Sequence, residues 1–545
     1  MRYLLSILSS LLCFSSVLNG QNVSRSDAIL NFLGVDDPQE LDSYEVERLE
    51  HLMEFPVRVN LLSESELRGC GLFTPYQVAV LSDYIKRHGQ VLSLTELALL
   101  DGFGESFVSK ISPFISLNSH EVRNRVVRQD FAIRGGTRWQ EEFDGSYGAK
   151  YRLEVGGSLT ATVAASRPVG AEQWCPSYYT GSLGYKFRRV PLRVVAGDFN
   201  ARFGQGLVMW SNSFLNILTT PDNFMKKPTG ITQPFSFTGS NTLHGVATVI
   251  DIAKVQVSAI AAFEGMKIKP SVNVSWFGRY GQTSLTSTMS RTGVDAAFCL
   301  NGVNLFGEMA YDWLEKTPSV LLGTRFRTGE RLDVAVQARA FLKDQYGASA
   351  VALYSLGQRG QIAFSTDAIY YPVSKDKDDP FSVQLKSQLS CELNLNSAWK
   401  VKFRVSERFR TWGLPLRTDV RTDVIYTWSP LVLTLRMNAL DCEGTGYLSY
   451  LEGGYVAEKI SLYLRQGFFL IDDWDDRIYV YERDAPGSFT SPAMYGRGLW
   501  TAMTTSVKLT NLLKFYVRAS FIGYPFMEKK KPGKAELKLQ LQYRF

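Results

Sequence analysis

From about residue 125 to residue 545, apolar and polar side chains alternate with a period of two. Trp399, Val401, Phe403 and Val405 alternate with Lys400, Lys402 and Arg404. Leu431, Leu433, Leu435 and Met437 alternate with Val432, Thr434 and Arg436, and Leu332, Val334 and Val336 with Asp333, Ala335 and Gln337. A strand turns successive side chains to opposite faces, so each run predicts a strand with one apolar face. Gly, Asn, Asp and Pro punctuate the runs as turns require. On the order of two dozen segments of about ten residues fit strands that cross a bilayer at a tilt.

The last of these runs is the cleanest. Leu537, Leu539, Leu541, Tyr543 and Phe545 share one face, and Glu536, Lys538, Gln540, Gln542 and Arg544 share the other. In a transmembrane barrel this is a closing strand, apolar toward lipid and polar toward the lumen. It resembles the aromatic-terminated C-terminal signal of bacterial outer-membrane barrels. Beyond the first twenty residues no apolar run is long enough for a helical span, and only helices and closed barrels satisfy every backbone polar group in lipid. The expected fold is therefore a large antiparallel transmembrane β-barrel over residues 120–545, with an even number of strands, roughly 20 to 26. A soluble propeller is the competing reading, and it explains neither Phe545 nor the lack of a blade-length repeat.

Residues 21–119 follow a different period and predict an all-α domain of short helices. Side-chain caps recur: Asp42 with Glu45, Ser63 with Glu66, Thr74 with Gln77 and Ser93 with Glu96. Each pair places a side-chain oxygen on exposed helix N–H groups. The third has Pro75 at the first helical position, where its missing N–H costs little. The helix that follows carries Val78, Leu81 and Ile85 on one stripe and ends at Lys86 and Arg87 before Gly89.

Charge separates the same two parts. The whole chain has 60 basic and 53 acidic residues, net +7. Residues 21–119 hold seven basic against fifteen acidic residues, net −8, and residues 120–545 are left at +14, Arg2 being the remaining cation. Residues 1–20 read as a secretory signal, with Arg2, an apolar stretch from Leu4 to Leu18 and a cleavage point after Asn19-Gly20.

Chemistry-bearing clusters are sparse. With Cys13 removed in the signal, Cys70, Cys175, Cys299, Cys391 and Cys442 are odd in number and widely spaced, so neither a disulfide framework nor a zinc site is expected. His51, His88, His120 and His244 are scattered. No Gly-x-Ser-x-Gly elbow, Walker loop or His–Glu metal helix is present, so no enzyme and no cofactor are expected. Asp472, Asp473, Asp475 and Asp476 flank Trp474 but lack the glycine and glutamate of a calcium loop, and read as a solvated loop, as do Asp376, Asp378 and Asp379. Lys529, Lys530, Lys531 and Lys534 form the turn before the last strand, where they would meet lipid-headgroup phosphates or water.

Two glycine hairpins remain, Gly69-Cys70-Gly71-Leu72 and Gly102-Phe103-Gly104, with helical segments between them. Over residues 56–116 they resemble a tandem helix-hairpin-helix domain of the ComEA type found in competence proteins. The resemblance implies that backbone N–H groups at Gly69, Gly71, Gly102 and Gly104 approach a DNA phosphate, with Lys110 as a neighbouring cation. Glu105 after the second hairpin, the apolar Leu72-Phe73 after the first and the net −8 all oppose DNA, whose affinity comes mostly from Lys and Arg. A helical domain that binds protein or its own barrel is the reading favoured by charge.

The two parts together resemble a family of Bacteroidota outer-membrane proteins with an N-terminal helix-hairpin-helix domain. The likeness includes Gly197-Asp198-Phe199-Asn200-Ala201-Arg202-Phe203-Gly204-Gln205-Gly206-Leu207. It also includes Tyr479-Val480-Tyr481-Glu482-Arg483-Asp484-Ala485-Pro486-Gly487-Ser488-Phe489 with Tyr495-Gly496. It implies architecture and an outer-membrane location, with the helices on the periplasmic side or inside the lumen. The expected function is a channel or translocation protein whose acidic helices plug, gate or recruit. DNA uptake and a structural role beside envelope proteins are the alternatives. Outer-membrane lipid is the expected partner in each case.

Overall fold

A computed structural model describes residues 25–34, 43–118, 127–211, 219–237, 241–329, 331–341, 344–375, 380–414, 416–488, 490–527 and 531–545. The signal reading, the Asp42 cap, the Asp376–Asp379 cluster, Lys529 and Lys530 lie outside these residues. Among the described residues there are six α-helices: α1 (Arg25–Leu33), α2 (Ser43–Glu54), α3 (Glu64–Gly69), α4 (Pro75–His88), α5 (Leu94–Leu99) and α6 (Glu105–Ile111). None is long and apolar enough to cross a membrane.

The helices start where the sequence places their caps. Ser63 with Glu66 and Thr74 with Gln77 form complete capping boxes, and Gly89 ends α4 with φ +89°. Ser93 caps Glu96 N–H, but the Glu96 carboxylate accepts from Leu92 N–H at 2.7 Å and from the Tyr84 hydroxyl instead of closing its own box. The helices are short, so packing rather than propensity must hold them. Leu49, Leu72, Val78, Leu81, Leu97, Ile111 and Phe114 are fully buried in one cluster. A two-residue parallel pair, Val57–Arg58 with Ile115–Ser116, ties the domain's middle to its end. Asn60 clamps the same seam: its amide donates to the carbonyls of Val91 at 3.0 Å and Leu117 at 2.8 Å, and its oxygen accepts Val91 N–H at 2.9 Å.

The rest of the chain is a closed antiparallel barrel of 24 strands. Strands follow one another around the ring, and the last, Lys534–Arg544, pairs with the first, Val127–Trp139, in the register Leu541↔Ile133. That register sets the outer face. Leu539 and Tyr543 are each 41% exposed while Gln540 and Gln542, between and beside them, are 2% and 4% exposed. The same alternation puts Leu431, Leu433, Leu435 and Met437 on the exposed face of Leu431–Asp441. An apolar exterior on a closed ring is the construction of a membrane-spanning barrel.

Two long connections break the meander. Residues 203–242 separate strand Leu192–Arg202 from Leu243–Ile252, and residues 472–495 separate Ile460–Ile471 from Gly496–Lys508. The described residues of both turn back against the polar face of the strands. The first adds a short strand, Gly230–Thr232, beside Asn200–Arg202. That face, read as polar from the sequence, is apolar where the connections land. Leu207, Phe224 and Met225 pack on Phe306, Leu321, Ala335 and Val351. Ile478, Val480 and Met494 pack on Leu448, Tyr450, Phe469, Ile471 and Trp500.

The outer face generates a direct expectation. Leu451 is 56% exposed at the middle of strand Thr445–Val456. Leu451→Arg should cost ~2–4 kcal/mol of unfolding free energy in phospholipid vesicles, because an arginine at the bilayer midplane loses its hydration. Urea titration followed by tryptophan fluorescence reads this; no loss would remove the residue from the lipid face.

Candidate functional site

The chemistry of this molecule is concentrated where the helices meet the barrel strands and the two connections. Helix α2, Ser-Tyr-Glu-Val-Glu-Arg-Leu-Glu-His-Leu-Met-Glu, is built for that contact. Val46 and Leu49 face the helical core. Glu47, Glu50 and Glu54 recur at a spacing of three and four, which places them on one helical face. This spacing is the one mark of that face in the sequence.

Each of these carboxylates meets a group from the barrel part. Glu54 pairs with Arg544 of the closing strand and lies 3.7 Å from Lys514 of its neighbour. Glu47 lies 4.0 Å from Lys150 Nζ and accepts Phe237 N–H at 3.4 Å. Glu50 accepts Gly487 N–H at 2.6 Å. Glu45, on another side of the helix, pairs with Arg48 at 2.7 Å and with Arg202. Other helices repeat the pattern: Asp27 with Arg483 at 3.4 Å, Glu66 with Lys186 at 2.7 Å, and the Arg68 guanidinium over the Phe277 ring at 3.7 Å.

Both quoted sequence motifs lie at this junction. In the first, Gly204 has φ +59°, and the N–H groups of Gln205, Leu207 and Val208 converge on the Glu308 carboxylate at 2.6, 3.1 and 3.1 Å. A Cβ on Gly204 would come within 2.8 Å of that carboxylate, so only glycine lets the backbone wrap it. In the second, Glu482 pairs with Arg518 and accepts the Trp500 indole N–H at 2.7 Å. Asp484 pairs with Lys538 at 2.7 Å, and Arg483 spans Asp27 and Glu452, the latter at 3.0 Å. Gly487 has φ +75°, and a Cβ there would sit 2.8 Å from Glu47 Oε1. Its glycine lets the second connection press against α2.

The hairpin residues fall in two places. Gly69 and Gly71 abut Thr229 of the first connection, and a Cβ on Gly71 would meet the Thr229 methyl at 2.8 Å. Lys110 belongs to the same contact, paired with Asp222 at 3.0 Å. Gly102 and Gly104 lie apart from these. Gly102 rests on Tyr76 and its carbonyl accepts the Gln77 amide at 2.7 Å, while a Cβ on Gly104 would meet Arg327 of the barrel at 2.6 Å. Burial raises the Asp222 carboxyl, but Arg325, Lys110 and Lys227 outweigh it and hold it well below the usual carboxylate range.

A cleft of 850 Å³ remains between α2, α3, the first connection and the adjacent strands, with His51, Arg68, Arg152 and Arg193 on its walls. Among the described residues no three His, Cys, Asp or Glu side chains converge as metal ligands, and all five described cysteines are free. The acidic loop around Trp474 spends its charges locally: Asp472 on Thr445 and on Arg497 at 3.1 Å, Asp476 on Gly444 N–H at 3.0 Å. Lys531, in the turn before the last strand, sits over the rings of Tyr495 and Tyr524 at 3.3 and 4.0 Å.

No protein-family model and no curated protein matches this chain. Solved structures similar to it are outer-membrane barrels. The translocation pore of the P pilus usher PapC is 9% identical over 77% of this chain and 99% of that one, with a TM-score of 0.41. The siderophore receptor PirA from Acinetobacter baumannii is 6% identical over 78% and 81%, TM-score 0.44. OccK3 from Pseudomonas aeruginosa is 10% identical over 77% and 95%, TM-score 0.30.

Two outcomes follow from the junction. Removing one partner of a buried ion pair costs up to about 3–5 kcal/mol, and less where a second carboxylate remains, as Asp130 does for Arg544 at 3.2 Å. Glu54→Ala should therefore expose α2 to hydrogen exchange and protease, and a Glu54→Ala protein protected like the wild type would show the pair to be idle. Acid should also loosen the contact. Burial, then Arg152, Arg544, Lys150 and Arg128, hold His51 well below its ordinary 6.5, so the packed ring is neutral and a released ring takes up a proton below that pH. Burial raises Glu45, yet Arg48 and Arg202 outweigh it and hold it at about 2, so its contribution is full above 4.5 and fades as pH falls toward 2. Burial raises the Glu47 carboxyl, which acts in the opposite sense. Exchange protection of α2 should fall between pH 6.5 and 4.5, and His51→Gln should flatten that arm.

Proposed function

We propose that this chain is an outer-membrane channel or translocation protein whose acidic helices lie in the barrel lumen as a plug. The observation that carries the reading is the set of ion pairs from α2 to residues on the polar face of the strands, above all Glu54 with Arg544 and Lys514, and Glu47 with Lys150. A barrel of this strand number encloses a lumen that side chains cannot fill, so it needs a plug or a cargo. The net −8 of the helices against the +14 of the remainder gives the plug its fit.

The contacts are polar and numerous rather than apolar, which suits a domain that is held and can also be released. Gating then amounts to exchanging the carboxylates of α2 for another anionic partner at Arg544, Lys514 and Lys150. DNA contact by the hairpins is compatible with this only after release, because Lys110 is engaged with Asp222 and Gly104 is backed by Arg327.

Single-channel recording in planar bilayers tests the plug. The wild-type protein should conduct little, and both deletion of residues 21–119 and the full-length Glu47→Gln/Glu50→Gln/Glu54→Gln protein should open long-lived, larger conductances. Equal conductance in all three, with the barrels folded by heat-modifiable gel mobility, would overturn the reading.

A further inference from the structure

A second cavity lies away from the helices. It has a volume of 430 Å³ and is lined by the polar faces of strands Trp399–Arg410, Leu416–Trp428 and Leu431–Asp441, under residues 475–480 of the second connection. Its cations are all arginine. The first strand gives Arg404, Arg408 and Arg410, the second Arg417 and Arg421, the third Arg436, and the connection Arg477. Only Asp419 and Asp475 line it from the acidic side, seven cations against two anions.

Some of this charge is answered. Arg404 pairs with Asp419 at 2.9 Å, Arg421 and Arg436 share Asp423 at 2.9 and 2.5 Å, and Arg477 lies 3.6 Å from Asp475. The other three arginines have no carboxylate within 4.0 Å among the described residues. Arg417 donates to the carbonyls of Asp475 and Arg477 at 3.1 and 3.0 Å, and Arg410 to Gln384 at 2.9 Å. Arg408 Nε is buried and has no hydrogen-bond partner. A fold gains nothing from gathering unanswered like charges, since each repels the others and a buried donor without a partner costs stability. The arrangement is costly for the protein alone and suited to a ligand that supplies the missing charge.

We infer that this cavity binds a small soluble molecule bearing two or more phosphate groups. The volume is in the range of small-ligand sites. Guanidinium forks match phosphate oxygens two at a time, and a low-dielectric recess lined by one sign of charge concentrates counter-ions. With Asp423 counted beside Asp419 and Asp475, the surplus of four positive charges calls for an anion carrying several charges, not one. The soluble source follows from the faces: Phe403, Phe409, Leu416, Leu433 and Leu435 stand exposed on the outer face of these strands, with the charged Glu407 among them, while the arginines sit on the opposite face. No helix of residues 25–118 lines the cavity, so the inference stands apart from the plug.

Isothermal titration of the full-length protein in neutral detergent with inorganic pyrophosphate tests this. One site per chain should fill, with an affinity that falls as salt rises. Arg408→Gln should weaken it about tenfold or more, because a charge-assisted contact is lost while no carboxylate of the protein is left unpaired. Lys459→Gln, the same charge change in the turn between strands Thr445–Val456 and Ile460–Ile471, should leave it unchanged. Pyrophosphate should also protect Arg408 of the wild-type protein from phenylglyoxal, read by mass spectrometry, which keeps the test open should the variant misfold. Absence of binding at low salt, or equal weakening by Lys459→Gln, would overturn the site. Binding of bisphosphorylated lipid A without binding of pyrophosphate would overturn the soluble source.

Discussion

A charge on the inner side of a barrel wall that is held out of water must find a partner, because one left unanswered is among the most destabilising features a fold can carry. The strands of this protein bring more cations than anions to that side. Some are matched within the wall, as Arg465 is by Glu452 and Arg325 by Asp333. Others are met from outside it. Lys514 turns to Glu54, Arg202 to Glu45 and Lys538 to Asp484, and Arg544 reaches Glu54 as well as Asp130 of the neighbouring strand at 3.2 Å. The helices and the second connection are thus counter-charges that the wall lacks, and their positions follow from where the wall needs them.

The apolar contacts supply what the ion pairs do not. Charge pairs tolerate a range of geometries, whereas apolar surfaces that fit each other fix a position. Phe224 and Met225 on Leu321 and Val351, and Val480 and Met494 on Phe469 and Trp500, pin the two connections against the wall. Once pinned, the connections present Asp222, Gly487 and Arg483 to the helices at fixed places. Specific glycines make the fit possible at Gly204 and Gly487, where any side chain would collide with Glu308 or Glu47.

The sequence made the barrel legible because a strand's two faces are a local property. The alternation in Leu431–Asp441 and in the closing strand can be read without knowing what either touches. Caps such as Ser63 with Glu66 are equally local. Partners are not. Nothing near Glu54 points to Arg544, and nothing near Gly204 points to Glu308, since each pair is joined by the ring's closure and by chain folding over long separations. The apolar inner patches had a fainter signal. Gly-Phe-Phe-Leu-Ile at the end of strand Ile460–Ile471 is apolar on both faces, a mark of burial on both sides that simple alternation hides. The hairpin glycines were visible, but what backs them, Thr229 in one case and Arg327 in the other, was not.

The seam of the ring has a consequence for assembly. Its final strand hydrogen-bonds to its first, with Phe545 and Gln129 exchanging both backbone bonds at 2.9 and 3.0 Å. Arg544 beside that seam reaches Glu54 on α2, and Arg128 beside it lies over the Phe55 ring at 5.9 Å. Both edges that must find each other therefore touch the same short stretch of chain, made earlier in synthesis than either. Bringing distant edges together is the slow step of β-closure. A helix end that meets both edges is placed to brace the seam, so Glu54 and Phe55 bear on the closure of the ring as well as on the seating of the helices.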